Sequence, residues 1–551
     1  MWFSCYLKDL SRVDSTYQNV PQATSIPAEF GCCPFHRGKN RNVRVLSPSV
    51  RFLLGLAGSI AIALGSFGVG WIGPDSTLHD WAALEFIRNS RGGVTIAGLL
   101  VVLGALMLLV AWIALGLSLL ERRNGNGSRS DKSSSTSTAA RRTSLNEVVA
   151  SAAAWGAPLL VSLPLFSRDM FAYVGQGRLM AAGLNPYTSG MAALPGWYGI
   201  GVDPLWADTS TPYGPVFVWL ERVVVQSTDA LPTEVAVFAF RLLAAAGLAM
   251  LAYYAWRIAR LRGLNEAGVL WIVAASPLVI MNFVAAGHND SIMLAFIVGG
   301  VYYALRDRPL LGTVFIAVAI GVKPIALIAL PIIGLIWAGS AAGWGAIIRR
   351  WAAVAGIALG GLALVGWSMG IGMGWLGALA TPVSISSWYA PASILGIGVG
   401  GLFQGIGLDG GLAQEIVKLA LLGAGCTLAA YLVIARRRLE PLTLLLGVFA
   451  AIVLASPVIH PWYGLWLLTL LALTGAERLW SMRTVVYSTV FFMLIGLTEP
   501  LDLIPRLETD TRIPVIIIGV ALVGATAVLI GSELLVRRRR AVLGFRMPEL
   551  A

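Results

Sequence analysis

Apolar runs of membrane-crossing length follow one another along the chain, separated by short breaks that are either basic or rich in Gly and Pro. Crossings are predicted near 52–73, 94–120, 146–166, 233–256, 267–286, 291–305, 351–371, 412–435, 441–458, 462–475, 484–498 and 513–536. Residues 310–338 exceed one span and carry Lys323 and Pro324 in the middle, which predicts two short helices meeting at a break. Residues 213–228 have a helical pattern but are short and contain Glu221 and Arg222, as expected of an interfacial helix. The expectation is an all-α integral membrane bundle of about thirteen or fourteen transmembrane helices, with two large outer loops carrying interfacial helices.

Charge then orients the bundle. Arg37, Lys39, Arg41, Arg44 and Arg51, the runs Arg257–Arg260–Arg262 and Arg436–Arg437–Arg438, and the terminal Arg537 to Arg540 all fall between crossings on one side. By the positive-inside rule that side is cytoplasmic, together with both termini. The formal net charge of +12 therefore orients spans and does not describe a nucleic-acid surface. With 57% hydrophobic and only 12% charged residues the chain is no soluble enzyme, and its 62 glycines are scattered through apolar runs as close helix packing in lipid requires.

The expected order is a disordered cytoplasmic tail, 1–47, two N-terminal crossings in 48–120, a disordered Ser/Arg-rich cytoplasmic linker, 121–143, a membrane domain, 144–540, and a C-terminal tail, 541–551. The tail has no pattern of a cleaved signal. Cys32, Cys33 and His36 lack a second ligand pair for a metal, and with Cys5 and Cys426 they form no disulfide framework. Two long outer segments, 167–230 and 372–411, are left over.

On this threading Arg168, Asp169, Arg178, Asn185, Asp203, Asp208, His288, Asn289, Asp290, Lys323 and His460 all reach the outer edge. A transporter of polar solutes would place such groups near mid-bilayer. The pattern points instead to a cavity open to the outside, roofed by the two long segments and reached sideways from the lipid. Each residue also has a plainer reading. Asp169 suits a helix N-cap, Arg168 a local ion pair with Asp169, and Lys323 a snorkelling side chain. His288, Asn289 and Asp290 suit a tight turn, and Trp462 and Tyr463 an aromatic belt.

Several stretches together resemble a known family. Asp169 leaving an early span, then Tyr173, Gly177 and the turn Gly183-Leu184-Asn185-Pro186-Tyr187, resembles the first outer loop of the GT-C glycosyltransferases. Thr211-Pro212-Tyr213-Gly214-Pro215, Gly287-His288-Asn289-Asp290, Val322-Lys323-Pro324 and His460-Pro461-Trp462-Tyr463 narrow the resemblance. They are similar to the actinobacterial polyprenol-phosphate-mannose-dependent α-(1→6)-mannopyranosyltransferases that build lipomannan-type mannan backbones.

The resemblance covers about 145–540 and implies a GT-C bundle with its active site on the outer face of the plasma membrane. It implies inverting transfer of mannose from polyprenyl-phosphate-mannose to a mannosylated glycolipid, with Asp169 as general base. From the residues themselves, Lys323 and Arg178, and after them Arg168 and His460, are the expected contacts to the donor phosphate. His288, Asn289, Asp290, Tyr173, Asn185, Tyr187, Tyr213, Trp462 and Tyr463 are the implied substrate contacts. No cofactor is expected and no divalent metal, since cations on the protein can serve a monophosphate leaving group. A GT-C transferase for lipid-linked arabinose or glucose, and a lipid-linked sugar flippase or exporter, remain the competing expectations.

Overall fold

A computed structural model describes residues 46–127, 134–380, 386–475 and 479–498, and among these every regular element is helical. The protein is an all-α, multi-pass membrane protein. Nearly all of the tail 1–47, the crossing expected at 513–536 and the tail 541–551 lie outside the described residues.

The first helices are α1 (Pro48–Val69), the short α2 (Ala82–Asn89) and α3 (Arg91–Gly127). Small residues let α1 and α3 approach to backbone contact: a Cβ on Gly58 would lie 2.6 Å from the Gly104 carbonyl oxygen, and one on Gly104 would lie 2.5 Å from that of Gly58. Ile96, Leu99, Leu103, Leu106 and Val110 of α3 point away from the protein as a lipid-facing stripe. The stretch expected as a disordered linker is helical wherever it is described, because α3 continues to Gly127 and α4 (Ser134–Gly156) begins seven residues later. Adding turns to a formed helix is easier than starting one. Glu147 ties this end together by pairing with both Arg51 and Arg122, the latter at 2.9 Å.

Beyond α4 come two short helices, α5 (Asp169–Ala181) and α6 (Pro215–Ser227), and the full-length α7 (Thr233–Leu261). A single crossing is expected at 267–286, but the chain there is broken. Helix α8 (Glu266–Val273) stops, and α9 (Pro277–Val279) restarts and runs into a π-helical turn, Ile280–Ala285, bent 41° from α8. Pro277 has no N–H to continue the ladder and pushes Ser276 into extended backbone. One buried side chain ties the end of this turn to the segment after α4. Arg241 of α7 donates to Ala285 O at 3.0 Å, to Leu160 O at 3.1 Å and to Ser162 O.

Next are α10 (Asp290–Ala304) and α11 (Pro309–Val322), followed by the expected break at Lys323, a 3-10 turn Pro324–Ala329 and α12 (Leu330–Ala338). The full-length α13 (Trp344–Ser368) precedes α14 (Pro391–Gly405), which lies in the second long outer segment and exposes Ile394, Ile397, Leu402 and Phe403. The described chain ends with α15 (Gly410–Ala435), α16 (Pro441–Ala455), α17 (Pro461–Leu473) and α18 (Leu479–Thr498).

By length and composition five helices are able to cross a bilayer, and α8 with α9 is a sixth if it counts as one bent span. Several other expected crossings are apolar helices of 10–17 residues, short of the roughly 20 that a crossing needs. Many start on a proline, as at Pro309, Pro441 and Pro461, which fixes a helix start but limits how far the preceding chain can be helical. A reciprocal contact is among those that bind the first helices to the rest. Trp112 of α3 and Trp271 of α8 stack at 4.3 Å, and each indole N–H donates to the other's backbone carbonyl at 2.8 Å.

Candidate active site

Three helix starts and one helix end meet at one place: Asp169 opens α5, Asp290 opens α10, His460 precedes α17, and Lys323 follows α11. The N-termini of helices carry unpaired N–H groups and partial positive charge, so the place favours anions.

Asp169 is partly open, its side chain 18% accessible, while His288 beside it is fully buried. Its Oδ2 accepts from the Tyr213 hydroxyl at 3.2 Å and lies 3.2 Å from His288 Nδ1. Three local features set this geometry. Phe166, buried and non-glycine, takes a φ of 66°, a strained turn that feeds the chain into α5. Gly287 takes a φ of 65° and would press a Cβ to 2.4 Å from the Met170 sulfur, so the His288 turn reaches Asp169 only without a side chain there. Gly214 donates to Val322 O at 3.0 Å, and a Cβ on it would lie 2.3 Å from the Ile320 carbonyl oxygen. That contact sets Tyr213 beside Asp169 and joins it to the strand of chain carrying Lys323.

A second carboxylate lies deeper. Asp290 is fully buried, with Lys323 Nζ at 2.9 and 2.8 Å from its two oxygens and the Trp466 indole N–H at 2.8 Å from Oδ1. The Lys323 ammonium also sits over Tyr463 and Trp466, 5.5 and 5.6 Å from the ring centroids. Between the two carboxylates runs an aromatic stack. Trp462 has His288 at 3.8 Å and His460 at 4.4 Å, and Tyr463 stacks on Trp466 at 4.2 Å. Tyr173, one turn along α5 from Asp169, accepts from the Asn289 backbone N–H at 3.3 Å and packs edge-on to Tyr213 and Phe217. The Asn289 side-chain amide is buried without a hydrogen-bond partner among the described residues.

The remaining expected residues lie outside this cluster. Arg168 donates to Gly201 O at 3.2 and 2.9 Å, pairs with Asp203 at 3.6 Å and stacks on Trp71 at 4.5 Å, so its guanidinium fastens the following loop. Arg178 donates to Thr233 Oγ1 at 2.9 Å. Nine helical residues put it half a turn round and about 13.5 Å along the axis from Asp169. The Asn185 carboxamide accepts from Tyr187 N at 2.9 Å to close a turn, and the Tyr187 hydroxyl donates to Tyr213 O at 2.9 Å. Both hold up Tyr213.

Other groups were not read from the sequence. Trp466 holds Asp290; its spacing of four from Trp462 puts both on one helix face. Ser387 and Ser393, from the second long segment, brace the turn before His460: the Ser393 hydroxyl donates to Pro457 O at 2.7 Å, and the Ser387 N–H to the same oxygen at 3.0 Å. No motif marks such serines.

Burial pushes the Asp169 carboxyl up, but His288, then Lys323 and His460, outweigh it and hold the group down at about 2. Burial lowers His460 to about 4, against the opposing pull of Asp169. At neutral pH the place thus holds an ionised Asp169 next to a neutral His460. Among the described residues no group of three or more His, Cys, Asp or Glu is placed to hold a metal ion.

The cluster falls inside regions shared with known proteins. Residues 52–339 match the family model described as Alpha-(1->6)-mannopyranosyltransferase, N-terminal domain, and residues 393–530 match that of the MptB C-terminal domain. The chain belongs to the alpha-(1->6)-mannopyranosyltransferase family. Among curated relatives, a probable alpha-(1->6)-mannopyranosyltransferase of Mycolicibacterium smegmatis is 28% identical over 78% of this chain and 80% of its own length. An alpha-(1->6)-mannopyranosyltransferase of Mycobacterium tuberculosis is 30% identical over 58% of this chain and 64% of its own length. Alpha-(1->6)-mannopyranosyltransferase A of Corynebacterium glutamicum is 32% identical over 50% and 54%. No solved structure matches the chain. As a member of this family the protein is a glycosyltransferase of the mannosyltransferase class. Asp169, His288, Asp290 and Lys323 come from the first matched region, and His460, Trp462 and Trp466 from the second.

Proposed function

We propose that the enzyme transfers mannose from polyprenyl-phosphate-mannose to a membrane-anchored mannan or glycolipid, forming an α-(1→6) linkage with inversion on the outer face of the membrane. The observation that carries this reading is the partly open Asp169 carboxylate, ionised and held between Tyr213 and His288 beside a wall of Trp462 and His460. The acceptor O6 attacks the sugar C1 from the side opposite the phosphate, and the C1–O bond to the phosphate breaks. The hydroxyl proton passes to Asp169, and polyprenyl phosphate leaves. A carboxylate of low basicity suffices, because the attacking hydroxyl turns strongly acidic only as its bond to C1 forms.

The leaving phosphate gains negative charge, which the converging helix N-termini and the His460 ring edge stabilise, with the remaining Lys323 N–H behind them. Asp290 neutralises much of Lys323, so that lysine contributes less as a charge than as a fixed donor. Trp462 offers an aromatic face to the apolar face of the sugar. The Asn289 carboxamide, buried without a partner, supplies both a donor and an acceptor for sugar hydroxyls. In this reading the reacting groups are the protein's own side chains, with no resident metal or cofactor, and the lipid donor enters from the side.

The test presents the full-length protein in proteoliposomes with polyprenyl-phosphate mannose, arabinose and glucose and a short α-(1→6)-linked mannoside. The expected product carries one added α-(1→6)-mannose, from the mannosyl donor alone. Preference for arabinose or glucose would overturn the donor assignment. Movement of labelled lipid across the bilayer without a new glycosidic bond would overturn the transferase reading in favour of an exporter.

A further inference from the structure

At the far end of the bundle from Asp169, a cavity of about 250 Å³ opens between the end of α12, the start of α13 and the turn joining α15 to α16. Helix α16 runs from this cavity at Pro441 to the turn before His460, so its fifteen residues separate the cavity from the candidate active site by about 22 Å. Two kinds of surface line it. Leu335, Ile336 and Leu439 form a partly exposed apolar wall, and Arg437 and Arg438 bring positive charge.

The charge is available to a ligand. Arg437 stacks on Trp344 at 4.2 Å and gives one N–H to Ile434 O at 3.3 Å, which leaves most of its five donors unused among the described residues, and Arg438 is exposed. Glu440, which also lines the cavity, is already engaged. Its carboxylate caps α16 by accepting from the Thr443 N–H at 2.9 Å and hydroxyl at 3.0 Å, and it faces Arg262 at 3.5 Å. Just before these residues, and outside the cavity lining, the Arg436 Nε is buried and has no acceptor among the described residues. The cavity therefore presents an excess of guanidinium donors next to an apolar wall.

We propose that this cavity binds the phosphate headgroup of an anionic phospholipid from the cytoplasmic leaflet, with an acyl chain lying along Leu335, Ile336 and Leu439. A free anion would satisfy the arginines and leave the wall bare, whereas a zwitterionic lipid would bring a cation to a site that already holds several. The basic turns cluster at this end, which is where the positive-inside rule puts the anionic leaflet. The site is separate from the transfer reaction and independent of the donor assigned above.

Full-length protein in mild detergent is titrated with phosphatidylglycerol, phosphatidylcholine or inorganic phosphate, and bound lipid is read by native mass spectrometry. Phosphatidylglycerol should bind in preference to phosphatidylcholine, and the Arg437→Gln/Arg438→Gln variant should bind it about tenfold or more weakly. Ile336→Phe, which fills the apolar wall but keeps both arginines, should also weaken the lipid, and it serves if the double variant folds poorly. Equal phosphatidylglycerol binding in wild type and both variants, or equal binding of phosphatidylcholine, would overturn the proposal. So would displacement of the lipid by inorganic phosphate at matching concentration, which would show a simple anion site.

Discussion

The Lys323 ammonium lies 2.9 and 2.8 Å from the two carboxylate oxygens of Asp290, which is fully buried. Removing one member of such a pair strands the other charge away from water. Lys323→Met alone should therefore destabilise the protein by about 3–5 kcal/mol. Lys323→Met with Asp290→Asn should be markedly less destabilised than the lysine change alone, because no lone charge remains. Thermal unfolding in detergent checks both, and simple additivity of the two single changes would contradict a direct pair.

Asp169→Asn keeps a carbonyl oxygen for the Tyr213 hydroxyl but cannot take a proton. Transfer should fall by about 10²- to 10⁴-fold with the unfolding temperature unchanged. Tyr213→Phe loses only a partner of the carboxylate and should cost about tenfold. Near-normal transfer by the asparagine variant in isolated membranes would remove Asp169 from the chemistry.

The pH dependence follows from the same residue. A carboxyl lowered to about 2 takes up its proton only in strong acid, so the active, ionised form is kept as pH falls through the usual carboxylate range. His460, lowered to about 4, is neutral above about pH 5. The kcat/KM of the enzyme should be level from about pH 5 to about pH 8. An acid limb centred between those values would mean that another group carries the proton.

Gly214 and Gly361 predict opposite outcomes for the same substitution. A Cβ on Gly214 would meet the Ile320 and Gly321 carbonyl oxygens at 2.3 and 2.5 Å, and backbone cannot step aside. Gly214→Ala should lower transfer strongly by moving Tyr213 and should destabilise by several kcal/mol, about 3 or more. Gly361, mid-helix in α13, has nothing within 4 Å, so Gly361→Ala should be neutral or stabilise by up to about 1 kcal/mol. Activity and melting temperature of the two variants side by side decide it.

Arg178→Gln should leave the donor KM within about threefold of wild type, since the residue lies about 13.5 Å along α5 from Asp169 on the opposite helix face. Its bond to Thr233 is a positioning contact at most. A loss of tenfold or more in kcat/KM would return Arg178 to the donor site.

What the sequence made legible follows from the physics that writes each signal. Long apolar runs and arginine-rich turns announce crossings, and the break at Lys323-Pro324 stands where proline requires it. Asp169, His288, Asp290, Lys323 and His460 were recognisable because ionisable groups beside apolar runs are conspicuous, and all of them meet. Partners were less legible. Arg168 and Arg178 look like phosphate ligands in one dimension; in the fold Arg168 donates to Gly201 O and Arg178 gives one N–H to Thr233, partners set by loop geometry far along the chain. The bend at Pro277 hid inside an apolar run, because hydrophobicity says nothing of helix continuity. Trp466 and the two bracing serines carry no pattern that sets them apart from ordinary helix and loop residues.

The reciprocal indole bonds between Trp112 and Trp271 give the first helices a role that their lack of chemistry conceals. Each indole N–H finds its acceptor on the other helix, so a shortened enzyme lacking the leading hairpin would leave a naked polar group on the very segment that descends toward His288. Attempts to trim the protein to its reacting core should therefore keep that clasp, or replace Trp271 with phenylalanine at the same time.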